Sequence, residues 1–168
     1  MLNYTKAKLK DLDAFIKGLN FAKVSDKDVR NTFIRLIPQV ARRMKEMDED
    51  KKALFSRIVE SIPEERRKAY DEANHERMEA MERFKKTGSE LDRANFESKE
   101  SAFVDEYKDV LPVVDEFVKA VNDLEAGTTE LSVEHIPVEK FLDSMQGQDI
   151  EVNAKTIELL EPIVKFED

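Results

Sequence analysis

The stretch "KTGSE", residues 86–90, decides how the chain folds. Gly88 suits the left-handed backbone that closes a helix, and Ser89 is a residue type that opens the next one by accepting a bond from a free helix N–H. Helical periodicity runs on both sides, so these five residues predict a reversal between two antiparallel helices.

Upstream and downstream of the reversal, residues 64–101 hold 20 charged and 10 apolar residues among 38. The sparse apolar positions Tyr70, Ala73, Met81 and Phe84 still fall near one stripe. The return limb ends in a clearer pattern. Phe103, Tyr107, Val110, Val114, Phe117, Val121 and Leu124 alternate spacings of four and three, as a helix–helix seam requires. Pro112 lies between two of them and predicts a bend in a continuing helix. The expected object is an antiparallel hairpin or coiled-coil arm, apolar at its base and polar at its tip. The tip reads either as solvated surface or as an arm reaching for a partner.

Toward the N-terminus, Thr5 is a candidate N-cap for a helix bearing Leu9, Leu12, Phe15, Ile16 and Leu19 and ending near Gly18. Ser25 and Asp26 offer caps to a second helix with Val29, Phe33, Leu36, Val40, Met44 and Met47 on one face. Pro38 predicts a kink or break within it. The stripe resumes at Leu54, Phe55, Ile58 and Ile62. Ser61 and Glu64 then have the spacing of a capping box, with Pro63 suited to a first helical turn.

Beyond Gly127 the period becomes two. Thr129, Leu131 and Val133 share one face and Glu130, Ser132 and Glu134 the other, the pattern of a half-buried strand. "IPVEKFLDSM" predicts a short helix with Phe141 and Leu142 inward, "QGQD" a turn, and "IEV" a second strand. Asn153 is the expected cap of a closing helix with Ile157, Leu160, Ile163 and Val164. The fold class is therefore mainly α with a short two-stranded β element near the C-terminus. Residues 1–127 form a helical bundle with the long hairpin, and 128–168 an acidic strand-helix-strand-helix segment packed on the helical base. Such a ribbon also leaves strand edges that can accept a partner's strand.

Charge narrows the function. The chain of 168 residues has a net charge of −9. Residues 123–168 hold 12 acidic and 3 basic residues, so the rest of the chain is balanced. With no basic face to displace counterions from phosphates, direct nucleic-acid binding is not expected. No cysteine is present, which excludes disulfides and thiolate chemistry in this sequence. The start lacks an apolar core for a signal peptide and no run is long enough to span a bilayer, so no membrane association and a cytoplasmic setting are expected.

Catalytic patterns are missing. His75 has Glu79 one turn along but no third convergent ligand, so no metal is expected there. His135, beside the strand, is expected to cover the core edge. The four glycines are isolated, so neither GxGxxG nor GxxxxGK[ST] can be written, and no serine lies in a GxSxG turn. Aromatic residues on helical stripes predict core and no bound cofactor. The reading is of a non-enzyme.

The order of a helical N-terminal half, a charged coiled middle, "LSVEHIPVEKF" and a closing "NAKTIELLEPIVKFED" resembles a family of small uncharacterised phage and prophage proteins. Leu131, Val133, Ile136, Phe141, Leu159, Leu160 and Pro162 stand at the matching places. The resemblance implies a phage-encoded setting and supplies no activity and no functional residues.

The expected function is non-enzymatic protein–protein interaction, as a virion, assembly or accessory component. The expected partner-binding residues are Leu131, Val133 and Ile136, with Glu130, Glu134 and Glu139 steering a basic surface. The same strands read equally as closure of the fold. The alternative is an inhibitor of a host defence enzyme acting through the acidic C-terminal segment. Residues 103–124 could also pair between two copies as a homo-oligomer.

Overall fold

The computed structural model describes residues 1–148 and 150–165. The chain is mainly α-helical with two small strand pairs. In order, the elements are β1 (Leu2–Thr5), α1 (Leu9–Gly18), α2 (Lys27–Ile58), α3 (Glu64–Thr87), α4 (Glu90–Glu106), α5 (Leu111–Ala126), β2 (Thr128–Leu131), β3 (Ile136–Pro137), α6 (Val138–Met145), α7 (Ala154–Leu160) and β4 (Val164–Lys165). Two compact units are present: residues 1–50 with the described residues from 122 onward, and residues 51–121. Both boundaries fall inside helices, α2 and α5. The described residues of the 128–168 segment lie within the first unit.

In the first unit the chain begins as a strand, which the helix-oriented reading of Thr5 did not anticipate. Leu2 and Tyr4 are buried while Asn3 is exposed, and β1 pairs antiparallel with β2 in the register Leu2↔Leu131 and Tyr4↔Thr129. Thr5 makes no side-chain cap. Tyr4 is fully buried and its hydroxyl donates to the Leu159 carbonyl at 2.8 Å. A hydroxyl in that position needs such an acceptor, because a polar group withdrawn from water without a partner is unfavourable.

The apolar face of α2 packs as its spacing predicts: Val29, Phe33, Leu36 and Val40 are buried with Leu9, Leu12 and Ile16 of α1. Phe33 meets Phe15 at 5.8 Å and Phe141 at 6.4 Å between ring centroids. Each such side chain contributes about 1.5–3 kcal/mol by leaving water. Asp26 is the cap of α2, its Oδ1 accepting from the amides of Asp28 and Val29 at 2.8 and 3.0 Å. Those bonds, Val29's foremost, hold its carboxyl below the usual range. Helix α2 runs through Pro38 without a break. Pro38 and Ile34 are exposed, so solvent can serve the Ile34 carbonyl that lacks its helical donor.

The C-terminal part of the unit differs from the expected ribbon. "IEV" at residues 150–152 is not a strand. β2 takes its partner from the chain start, and β3 pairs in parallel with β4, Ile136 against Val164. The apolar run "PIV" supplies that pairing, since Ile163 and Val164 are both fully buried and need partners for their backbone groups as well. In α6, Phe141 is inward as expected but Leu142 is 47% exposed, and Met145 takes the inward place one turn after Phe141. The turn after α6 uses Gly147 at φ 80°, and Asp149 of the expected "QGQD" turn lies outside the described residues. Asn153 caps α7, its Oδ1 accepting from the Thr156 amide at 3.1 Å.

In the second unit the reversal is built as its residues demand. Gly88 has φ 61° and its amide bonds the Phe84 carbonyl at 2.8 Å. Ser89 Oγ accepts from the Asp92 amide at 3.1 Å. Arg77 Nη1 reaches both carboxylate oxygens of Glu100 at 2.9 and 3.0 Å, and Lys99 reaches Glu76 at 2.7 Å, tying α3 to the antiparallel α4. Two local expectations fail. Ser61 Oγ donates to the Ile58 carbonyl at 2.7 Å instead of capping α3, where Pro63 holds the cap position. The helix also does not continue through Pro112. Helix α4 ends at Glu106, a turn covers residues 107–110, and Pro112 sits in the first turn of α5, where its missing N–H costs nothing.

Candidate functional site

The expected partner-binding residues divide into two groups. Leu131 and Ile136 are core, fully buried and 3% exposed, and present no surface. Val133 is half-buried against the same core. Glu130, Glu134 and Glu139 are exposed. The outer edge of β2 is occupied, because Arg43 Nη2 reaches the Glu130 carbonyl at 3.5 Å and the Gln39 side chain bonds the Ser132 backbone. His135 is exposed at the rim of a polar hollow of about 220 Å3 shared with Arg35 and Lys140. His75 Nε2 lies 3.3 Å from Glu79 Oε1 on an exposed helix face, and no cluster of three metal-ligating side chains occurs among the described residues.

A different surface is left incompletely covered. Helix α5 carries Val113, Val114, Phe117, Val118 and Val121, yet has no fully buried residue, and Val118 is 49% exposed. Within the second unit its N-terminal half faces the end of α2 and the start of α3 across a groove of about 320 Å3. Phe55, Val59 and Ile62 come from the end of α2 and the 3-10 turn after it, Tyr70 from α3, and Val110, Val114 and Phe117 from the entry to α5. Phe55, 39% exposed, meets Phe117 edge-on at 5.8 Å and 85°.

An aromatic cluster lies beside the groove. Tyr70, Phe103 and Tyr107 form a triangle with centroid separations of 5.1, 5.4 and 5.2 Å. Arg66 lies over Tyr107 at 4.6 Å and Arg77 over Phe103 at 4.7 Å, each cation attracted by the ring face. Both are also ion-paired, Arg66 with Glu106 and Asp109 at 2.8 Å each. The Arg66 guanidinium holds the Asp109 carboxyl below its usual range, and burial pushes the Tyr70 phenol up. The cluster adjoins the apolar groove through Tyr70.

The rim is polar and comes from the first two turns of α3. Glu64 and Lys68 neutralise each other at 2.7 Å. Arg67 lies over the Phe55 ring at 5.5 Å. The groove can hold one or two apolar side chains, and it contains no nucleophile beside a base. Sequence reasoning placed Phe55 and Phe117 in the core because a helical stripe is usually covered along its whole length; the placement of α3 and α4 that leaves them open carries no local signal. The chain matches no family model, no curated protein and no solved structure.

Proposed function

We propose that the protein is a non-catalytic interaction protein that seats a segment of a protein partner in the groove between α2, α3 and α5. The observation that carries this reading is α5, a helix with an apolar stripe and no fully buried residue, beside an aromatic pair in which Phe55 is exposed and Phe117 half-buried. Apolar area of this kind is stabilised when a partner removes it from water. The resemblance of the segment order to that of small phage and prophage proteins favours a phage-encoded setting, as a virion, assembly or accessory component. A second reading, an inhibitor of a host enzyme acting through the acidic C-terminal segment, is supported by the exposure of Glu130, Glu134 and Glu139.

Site-specific photo-crosslinking in the producing cell separates the two. A crosslinking residue at Phe55 or Val118 is expected to capture one protein, and capture from Phe55 is expected to disappear when Phe117→Ser is added. Capture from positions 130, 134 or 139 alone, insensitive to Phe117→Ser, replaces the groove reading with the acidic-segment one.

A further inference from the structure

Among the described residues, three arginines have a buried Nε without a hydrogen-bond partner: Arg43, Arg67 and Arg77. Two of them are otherwise satisfied. Arg43 bonds Glu46 and the Glu130 carbonyl, and Arg77 bonds Glu100 and Asn74. Arg67 differs. Among the described residues its guanidinium makes no hydrogen bond or ion pair with a carboxylate or carbonyl, and it lies over the face of Phe55 at 5.5 Å. It lines the groove, and it is half-buried.

A guanidinium donor withdrawn from water without an acceptor is unfavourable, and an apolar surrounding strengthens any charge-assisted bond it can form. The other rim groups do not supply that bond. Glu64 is engaged by Lys68 at 2.7 Å. Asp71, one turn beyond Arg67, borders the groove and is exposed, and it forms no ion pair with Arg67. The groove is thus apolar on its floor, and at its edge the half-buried Arg67 and the exposed Asp71 are charges without an ion pair among the described residues.

We infer that the occupant of the groove is an amphipathic segment of a protein partner whose apolar side chains enter between Phe55 and Phe117 and whose neighbouring carboxylate pairs with Arg67. This rests on the groove being the docking site and adds the charge of what docks there. A carboxylate placed beside the apolar anchors accepts from the guanidinium in the planar geometry that Arg, unlike Lys, presents. A basic segment would bring like charges together at Arg67 and could pair only with Asp71, whose carboxylate is already exposed to water.

The test uses the whole protein and a display library of randomised 16-residue peptides, sorted against wild type, Arg67→Glu, Arg67→Gln and Phe55→Ser, with melting curves on each variant. Sorting on wild type is expected to enrich peptides with apolar residues three or four apart and an Asp or Glu beside them. Synthetic copies should bind Arg67→Gln about tenfold more weakly, roughly one charge-assisted bond. Changing the peptide acid to Lys should restore binding to Arg67→Glu. Enriched peptides without an acid, or binding unchanged in both Arg67 variants, overturn the acidic occupant while the groove stands. Peptides that bind a folded Phe55→Ser as well as wild type, or no enrichment at all, overturn the groove itself. If Phe55→Ser melts early, Phe55→Thr makes the same comparison. A concentration-dependent dimer that Phe55→Ser dissolves gives the groove to a second copy and also overturns the proposal.

Discussion

The carboxamide of Gln39 makes both hydrogen bonds of a strand neighbour to Ser132: its Oε1 accepts from the Ser132 amide at 2.7 Å and its Nε2 donates to the Ser132 carbonyl at 3.3 Å. Arg43, one turn further along α2, reaches the Glu130 carbonyl at 3.5 Å. Residues four apart on a helix lie on one line, and residues two apart on a strand address the same edge, so one face of α2 closes the free side of β2. Unpaired edges recruit other chains, and side chains that satisfy the edge suppress this. Gln39→Ala is expected to cost about 1 kcal/mol for these solvent-exposed bonds, lowering Tm by about 2–4 °C. Gln39→Ala with Arg43→Ala should add concentration-dependent association in sedimentation. Unchanged melting and an unchanged monomer–dimer balance would show that the helix face does not guard the edge.

Val110 and Val114 look equivalent in the heptad pattern and are not equivalent in the structure. Val110 is 1% exposed in the core of the second unit, whereas Val114 is half-buried on the groove wall. A charge placed at Val110 has no water and no partner, so Val110→Asp should destabilise by about 3 kcal/mol or more and unfold this unit first. At Val114 the carboxylate can reach solvent through the groove, and Val114→Asp should cost about 1 kcal/mol, near the centre of ordinary substitutions. Urea titrations followed by circular dichroism decide the matter. Equal losses would mean that the groove is closed and Val114 is core.

The caps and stripes were legible wherever the signal is local. Gly88, Ser89, Asp26 and Asn153 act as their residue types predict, because a free helix N–H, or for Gly88 a free helix carbonyl, within a few residues is all they need. The α2 stripe was equally readable from its spacing. Non-local pairing was not. β1 is four residues long and finds its partner across about 125 residues of chain, and nothing in "LNYT" distinguishes it from a lead-in to α1. "IEV" alternates as a strand should, but β3 pairs with Val164 and Lys165 instead, where buried side chains compete more strongly for the site. The heptads hid the break at residues 107–110 because the apolar spacing stays in phase across it. The groove was least legible. Arg67 belongs to "PEERRK", which reads as solvated surface, and only the fold sets its guanidinium over Phe55.

At the tip, Asp92 works in the opposite direction to its cap. Its amide donates to Ser89 Oγ, while its Oδ2 accepts from the Ser89 hydroxyl at 2.7 Å and the Thr87 hydroxyl at 2.6 Å. Those bonds, Thr87's foremost, favour the ionised carboxyl and hold it below the ordinary aspartate value. A group depressed in the folded state stabilises it above the unfolded value, about 3.9, and that contribution is lost as pH falls through the lower folded value. The expected result is a carboxyl NMR midpoint for Asp92 below the ordinary one. Amide exchange at residues 87–92, corrected for intrinsic rates, should accelerate once pH drops past that midpoint. Asp92→Asn should remove this pH dependence and leave the tip open at neutral pH as well. The variant keeps the amide that caps Ser89 but offers those two hydroxyls an uncharged acceptor. A midpoint at or above the ordinary value would mean that the two hydroxyls donate elsewhere in solution and that Gly88 alone makes the turn.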